Sequence, residues 1–175
     1  VAIIGAGGIG FDVAEYLSKD GHSPTLDRDE WLAEWGVIDP SLAAGGLGKP
    51  KPPAAARDIT LLQRKASKLG AGLGKTTGWI HRAELKARNV TMLGGVNYEE
   101  IGDRGLCISH GEQRSDPTWL DVDHVILCAG QQSRRDLLAP LTARGAIVTV
   151  LGGADVATEL DAKRAIAQAS TVAAT

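Results

Sequence analysis

Cysteine is scarce. Among 175 residues only Cys107 and Cys128 carry a thiol, and their spacing suits neither a metal site nor a redox dithiol. Cys128 falls in the apolar run HVILCAG and reads as a core thiol, usage that fits a reducing cytoplasm. No apolar run approaches the ~20 residues of a membrane span. Excess charge is missing too: 19 Lys and Arg face 21 Asp and Glu, a net charge of −2, which gives no electrostatic pull toward nucleic acid or a membrane surface. The four histidines, His22, His81, His110 and His124, have no ligand spacing, and no Ser–His–Asp arrangement can be argued. His81 reads as a packing or capping residue, and Glu99–Glu100 as solvated turn carboxylates. No signal peptide is visible, and with no initiator Met the natural N-terminus is expected to lie upstream.

What is present suits a globular chain. Apolar residues make up 43% and charged residues 23%, and the length allows one compact domain, or one and a half. Val1 to Ile4 form a short apolar run, as expected of a strand buried on both faces of a parallel sheet. Ile9, Val13, Tyr16 and Leu17 recur at helical spacing, predicting a helix from Gly8 to Lys19 with Gly21 as its stop. Residues 22–57 break the pattern. They hold a short helix with Trp31 and Trp35 one turn apart, read as packing, and then a Gly-, Pro- and Ala-rich excursion. DITLLQRK (58–65) is the next strand, followed by a glycine-rich loop and a helix from Thr77 to Arg88. NVTMLGGV (89–96) is a third strand, 97–121 short antiparallel strands, and DHVILCAG (123–130) a buried strand. A strand over 146–155 and a helix over 157–174 complete the chain. This order predicts an α/β, Rossmann-like nucleotide-binding domain with a parallel sheet and a small antiparallel layer.

Gly5, Gly7 and Gly10 form G-x-G-x-x-G between the first strand and the first helix. The first glycine permits the tight turn, the second lets the backbone approach a pyrophosphate, and the third lets helix and strand pack closely. Gly8 and Ile9 complete the candidate contacts, because phosphates lie against the open N–H groups of the helix start.

The choice of dinucleotide depends on the second strand. Counting about 20 residues onward reaches Asp27, the place of an acid that accepts from a ribose 2′-hydroxyl and selects NAD. That segment contains Pro24 and few apolar residues, so it makes a poor central strand. If 22–57 is an insertion, ITLL is the true second strand, and its end carries Gln63, Arg64 and Lys65. Two cations there suit a 2′-phosphate and imply NADP(H). The alternative is a pair of solvated loop charges. GAGLGKTTG (70–78) imitates a phosphate loop, but G-x-x-x-x-G-K-[ST] needs glycine where Leu69 stands. A loop over the nicotinamide or its phosphates, offering Lys75 and Thr76, is the better reading.

The stretches GAGGIGFDVAEYLS, EWGVID, LLQRKASKLGAGLGKTTGWIHR, VILCAGQQSRR and LGGADVATELDAKRAIAQ together resemble the bacterial NADPH-dependent 2,4-dienoyl-CoA reductases, over their C-terminal part only. The resemblance implies an iron–sulfur flavoprotein. In it, electrons pass from NADPH to FAD, through a cluster to FMN in a TIM barrel, and on to a fatty acyl substrate. It also implies that residues 1–130 are an NADPH domain and 131–175 the returning segment of an FAD domain. Gly5, Gly7, Gly8 and Gly10 then match the NADPH turn, and Arg64 and Lys65 the 2′-phosphate end. Ala129, Gly130 and Gln131 match the crossover. Gly153 and Asp155, in GGAD, match a partial FAD site, with Asp155 accepting from a ribityl hydroxyl, capping the next helix, or both. The barrel, its FMN, the cluster cysteines and the FAD domain's first glycine motif would lie upstream. This chain by itself is then expected not to reduce dienoyl-CoA, and its partners are the missing parts of the same enzyme. Two alternatives stay open: a related reductase of the old-yellow-enzyme group acting on amines or other enones, or a non-catalytic NAD(P)H-sensing module.

Overall fold

The computed structural model describes residues 1–158 and 162–174. They form two compact units, Val1–Ala129 and Gly130–Thr175. The first runs β1 (Ala2–Ile4), α1 (Gly8–Ser18), α2 (Arg28–Trp35), β2 (Thr60–Gln63), α3 (Gly78–Ala87), β3 (Thr91–Gly94), β4 (Val96–Gly102), β5 (Gly105–His110), β6 (Ser115–Asp121) and β7 (Val125–Leu127). Four strands make a parallel sheet in the order β3-β2-β1-β7, and β4-β5-β6 make a separate sheet, antiparallel throughout.

Alternation along the strands builds two cores. Ile3 and Leu61 pair in register and both point to the helical side, where they meet Phe11 and Ala14 of α1 and Leu85 of α3. Ala2, Ile4 and Leu62 point the other way, onto Val96, Leu106 and Ile108 of the antiparallel sheet. A strand covered on both faces is apolar at every position, which is why β1 reads as an unbroken run. Phe11 and Leu61 are fully buried, each contributing roughly 1.5–3 kcal/mol of transfer free energy.

Residues 24–28 take no part in the parallel sheet. Pro24–Leu26 form a single 3-10 turn, and β1 pairs with β2 instead, Ala2 opposite Thr60. The detour between α1 and β2 has structure of its own. Asp27 caps α2 by accepting from the N–H groups of Asp29 and Glu30, and Gly36 ends it in a left-handed conformation. Trp31 is exposed and Trp35 half-buried. Ala56 donates to Ser18 O at 2.9 Å. Arg88, with its side chain 2% exposed, pairs with Glu34 at 2.7 Å, so one buried ion pair fastens α2 to the end of α3.

Two expectations need correction. The strand over 123–130 shortens to β7, which is not fully buried: Leu127 is exposed. Among the described residues this strand bonds only to β1, and an apolar run reads alike in a central strand and at an edge. In the second unit, the strand expected over 146–155 does not form. Residues 146–151 have no ladder partner among the described residues, Ile147 is fully exposed, and β-rich composition makes no strand without a neighbour. That unit contains α4 (Leu138–Ala143), a 3-10 turn at Gly152–Ala154 and α5 (Ala162–Ala173). The helix expected from residue 157 passes through 159–161, which lie outside the described residues. No described helix is long and apolar enough to cross a membrane.

Candidate nucleotide site

The glycine turn lies at the carboxyl end of β1, where the sheet order reverses between β2 on one side and β7 on the other. Ligands of open α/β sheets bind at such a switch point. Gly5 has φ +113°, and a Cβ there would stand 2.3 Å from Cys128 O. The strand end is pinned on both sides: Gly5 N–H donates to Leu62 O at 2.9 Å, and Cys128 N–H donates to Ile4 O at 2.7 Å. A Cβ on Gly10 would stand 1.8 Å from Gly5 O, so α1 is pressed directly onto the exit of β1.

Gly7 and Gly8 differ from these two. A Cβ on either meets nothing within 4 Å, and both residues are exposed. The side on which a side chain would project is open for an approaching ligand. No side chain caps α1. Its first internal bond runs from Phe11 N–H to Gly7 O at 3.1 Å, which leaves the amides of Gly8, Ile9 and Gly10 without an intrahelical partner. Open backbone and unpaired N–H groups at the positive end of a helix suit a pyrophosphate.

Arg64 and Lys65 leave β2 directly beside this turn. Both are exposed, and neither enters an ion pair among the described residues. Tyr98 of β4 lies near Arg64. Burial pushes its phenol up, and the guanidinium offsets part of that rise. Gln63, whose role the sequence does not disclose, folds its side chain over the turn. Its Nε2 donates to Lys65 O at 2.8 Å and to Ser67 O at 2.6 Å.

The loop carrying Lys75 and Thr76 is anchored beneath rather than at its tip. A Cβ on Gly70 would reach Phe11 Cζ at 2.8 Å, and Arg82 donates to Gly70 O at 3.0 Å. Lys75 and Thr76 are exposed, and no bond joins either to the glycine turn. His81 Nδ1 lies 2.5 Å from Glu15 Oε1 and joins α3 to α1. Burial raises the Glu15 carboxyl above its usual range despite that contact. Cys128 is half-buried, and burial pushes its thiol up.

Ala129 closes the first unit, beyond β7, while Gly130 and Gln131 open the second. Within the second unit, Gly153 lies in the turn preceding Asp155. Asp155 is engaged by the side chain of Gln168. Its Oδ2 accepts from Gln168 Nε2 at 3.0 Å, and Gln168 Oε1 accepts from Gly152 N–H at 2.7 Å. Gln168 thus brackets the turn, a role that only side-chain geometry reveals.

The family model for pyridine nucleotide-disulphide oxidoreductases matches residues 1–161. A curated metal reductase of Desulforamulus reducens is 26% identical over 158 residues, covering 88% of this chain and 22% of that protein. Among solved structures, a 2-naphthoyl-CoA reductase in complex with 2-naphthoyl-CoA superposes with a TM-score of 0.60 at 17% identity, covering 89% of this chain and 18% of that one. At that identity the likeness concerns the fold. The chain spans about a fifth of the length of each of these relatives.

Proposed function

This chain belongs to the pyridine nucleotide-disulphide oxidoreductase family, and on that premise we propose that it is the NADPH-binding part of a flavoenzyme of the 2,4-dienoyl-CoA reductase type. The observation that carries the choice of NADPH is the pairing of β1 with β2, Ile3 opposite Leu61 and Ile4 opposite Leu62. That register puts Arg64 and Lys65, not a carboxylate, at the strand end next to the glycine turn. Gly5 and Gly10 shape the turn, and the free amides of Gly8, Ile9 and Gly10 take the pyrophosphate. Arg64 and Lys65 neutralise the 2′-phosphate, an interaction open to two exposed cations that enter no ion pair among the described residues. Lys75 and Thr76 lie in the loop that covers the bound dinucleotide.

When bound, NADPH supplies a hydride and the flavin accepts it. This chain's residues orient the donor and need no acid or base for that transfer. Gly153 and Asp155 are this chain's contribution to the flavin site. Gly130 and Gln131 belong to the crossover that follows Ala129. The remaining flavin contacts, the iron–sulfur cluster, the FMN-bearing barrel and the acyl-CoA substrate belong, in this reading, to other parts of the same enzyme. NAD-linked use is tested directly. Titration with NADPH and NADH is expected to show at least a tenfold preference for NADPH, abolished in the Arg64→Ala/Lys65→Ala double variant, since a charge-assisted bond contributes about 1.5–3 kcal/mol. Equal affinity for the two dinucleotides in the unaltered protein overturns the reading.

A further inference from the structure

We infer that Gln63 is a positioning residue for dinucleotide selection: by clamping the turn that bears Arg64 and Lys65, its side-chain amide holds both cations where a 2′-phosphate arrives. This rests on the NADPH reading above and deepens it. Gln63 ends β2, the place at which a dinucleotide fold that selects NAD keeps a carboxylate for the ribose 2′-hydroxyl. Here the same length of side chain turns back on its own loop.

Two carbonyls fix its orientation. Lys65 O accepts from Gln63 Nε2 at 2.8 Å and Ser67 O accepts from it at 2.6 Å. Both acceptors lack a proton, so only the NH2 end of the amide fits between them. A glutamate has the same shape and nothing to donate; its oxygens would face two carbonyl oxygens. The clamp has a second jaw. Lys65 O also accepts from Gly95 N–H at 3.1 Å, which ties the turn to the end of β3. A Cβ on Gly94 would come within 3.2 Å of the same oxygen, so glycine lets that approach happen. Lys65 O is therefore held from β2 and from β3, while the Arg64 and Lys65 side chains enter no ion pair among the described residues. Two long exposed cations pay an ordering cost when they close on a phosphate. Fixing their backbone beforehand removes part of that cost, and removes it only for a ligand that bears the 2′-phosphate.

The probes are 2′,5′-ADP, which carries that phosphate, and 5′-AMP, which does not, with affinities read by titration calorimetry on the whole protein. Gln63→Leu is expected to weaken 2′,5′-ADP about tenfold, as two neutral hydrogen bonds allow, and to leave 5′-AMP unchanged. Gln63→Glu is expected to weaken 2′,5′-ADP further, since a carboxylate then repels the phosphate as well. Unchanged 2′,5′-ADP affinity in Gln63→Leu overturns the inference. An equal loss for both probes also overturns it, because that is a general loss of structure. Gln63→Met keeps the side chain's length, and the same two outcomes decide if the leucine variant does not fold. The Arg64→Ala/Lys65→Ala variant separates the two levels. If it loses discrimination while Gln63→Leu keeps it, the inference fails and the NADPH reading stands. If the double variant still discriminates, the NADPH reading fails and takes the inference with it.

Discussion

Adding one methyl group at Gly10 and one at Gly7 should have opposite consequences three residues apart. In Gly10→Ala the new Cβ is placed 1.8 Å from Gly5 O and 2.9 Å from Gly5 C. An ordinary contact of about 3.2 Å requires helix and strand to part by more than 1 Å, and neither partner is a side chain that can rotate away. Gly5 cannot yield cheaply. Its N–H is bonded to Leu62 O, and Cys128 O lies where its own Cβ would stand, 2.3 Å from that position. Overpacking of this kind costs about 1–3 kcal/mol where side chains can adjust; between two backbones the cost should reach ~3 kcal/mol or more. For a chain of this size that is a fall of roughly 6–12 °C in melting temperature. Gly7→Ala is the counterpart. Gly7 has φ −84° and ψ −173°, a conformation open to alanine, and its Cβ meets nothing. Stability should stay within about 0.5 kcal/mol. Its methyl group, however, occupies the side from which a pyrophosphate approaches, so NADPH affinity should fall at least tenfold. The assay is thermal unfolding of both variants without ligand, followed by NADPH titration of Gly7→Ala. An unchanged melting temperature in Gly10→Ala would show that the turn is looser than these distances require. Undiminished NADPH binding in Gly7→Ala would show that the ligand does not come in over this turn.

Two further outcomes follow from the ion pairs that bind the helices. Glu34→Ala strands the Arg88 guanidinium, whose side chain is 2% exposed and whose other carboxylate neighbour, Glu84, lies 3.8 Å away. The expected loss is about 3–5 kcal/mol, read by urea unfolding. Adding Arg88→Met should recover most of it, and failure to recover would place the damage elsewhere. Glu15 gives a pH signature. Burial is the largest cause of its raised carboxyl pKa, Glu84 adds repulsion, and His81 and Lys19 pull the other way. The folded state therefore holds this proton more tightly than the unfolded state, so Glu15's contribution to stability is greatest below the unfolded carboxylate pKa. It declines as pH rises from there through the raised value. The urea midpoint should fall over that window, and Glu15→Gln should flatten the slope; an unchanged slope refutes the assignment to Glu15.

The parts of this site that can be read from the sequence are those where one residue type answers one steric demand. Gly5 and Gly10 are legible because a strand-to-helix crossing leaves no room for Cβ at those two places, whatever surrounds them. The position of β2 is legible for a related reason: Leu61 and Leu62 must fill cores on opposite faces, which a segment holding Pro24 cannot do. Legibility ends where a residue's state depends on a neighbour the local pattern does not name. HVILCAG has the composition of a central strand and lies at an edge. AIVTV has the composition of a strand and finds no ladder among the described residues. Gln63 is the instructive case, because its identity is visible and its action is not. At a strand end glutamine reads as a missing acid, a purely negative sign. Only the two carbonyls of Lys65 and Ser67, brought round by the turn, show what the amide bonds. The preference for a 2′-phosphate would then lie in three consecutive residues: two that meet the charge, and one that replaces the competing carboxylate while holding the other two in place.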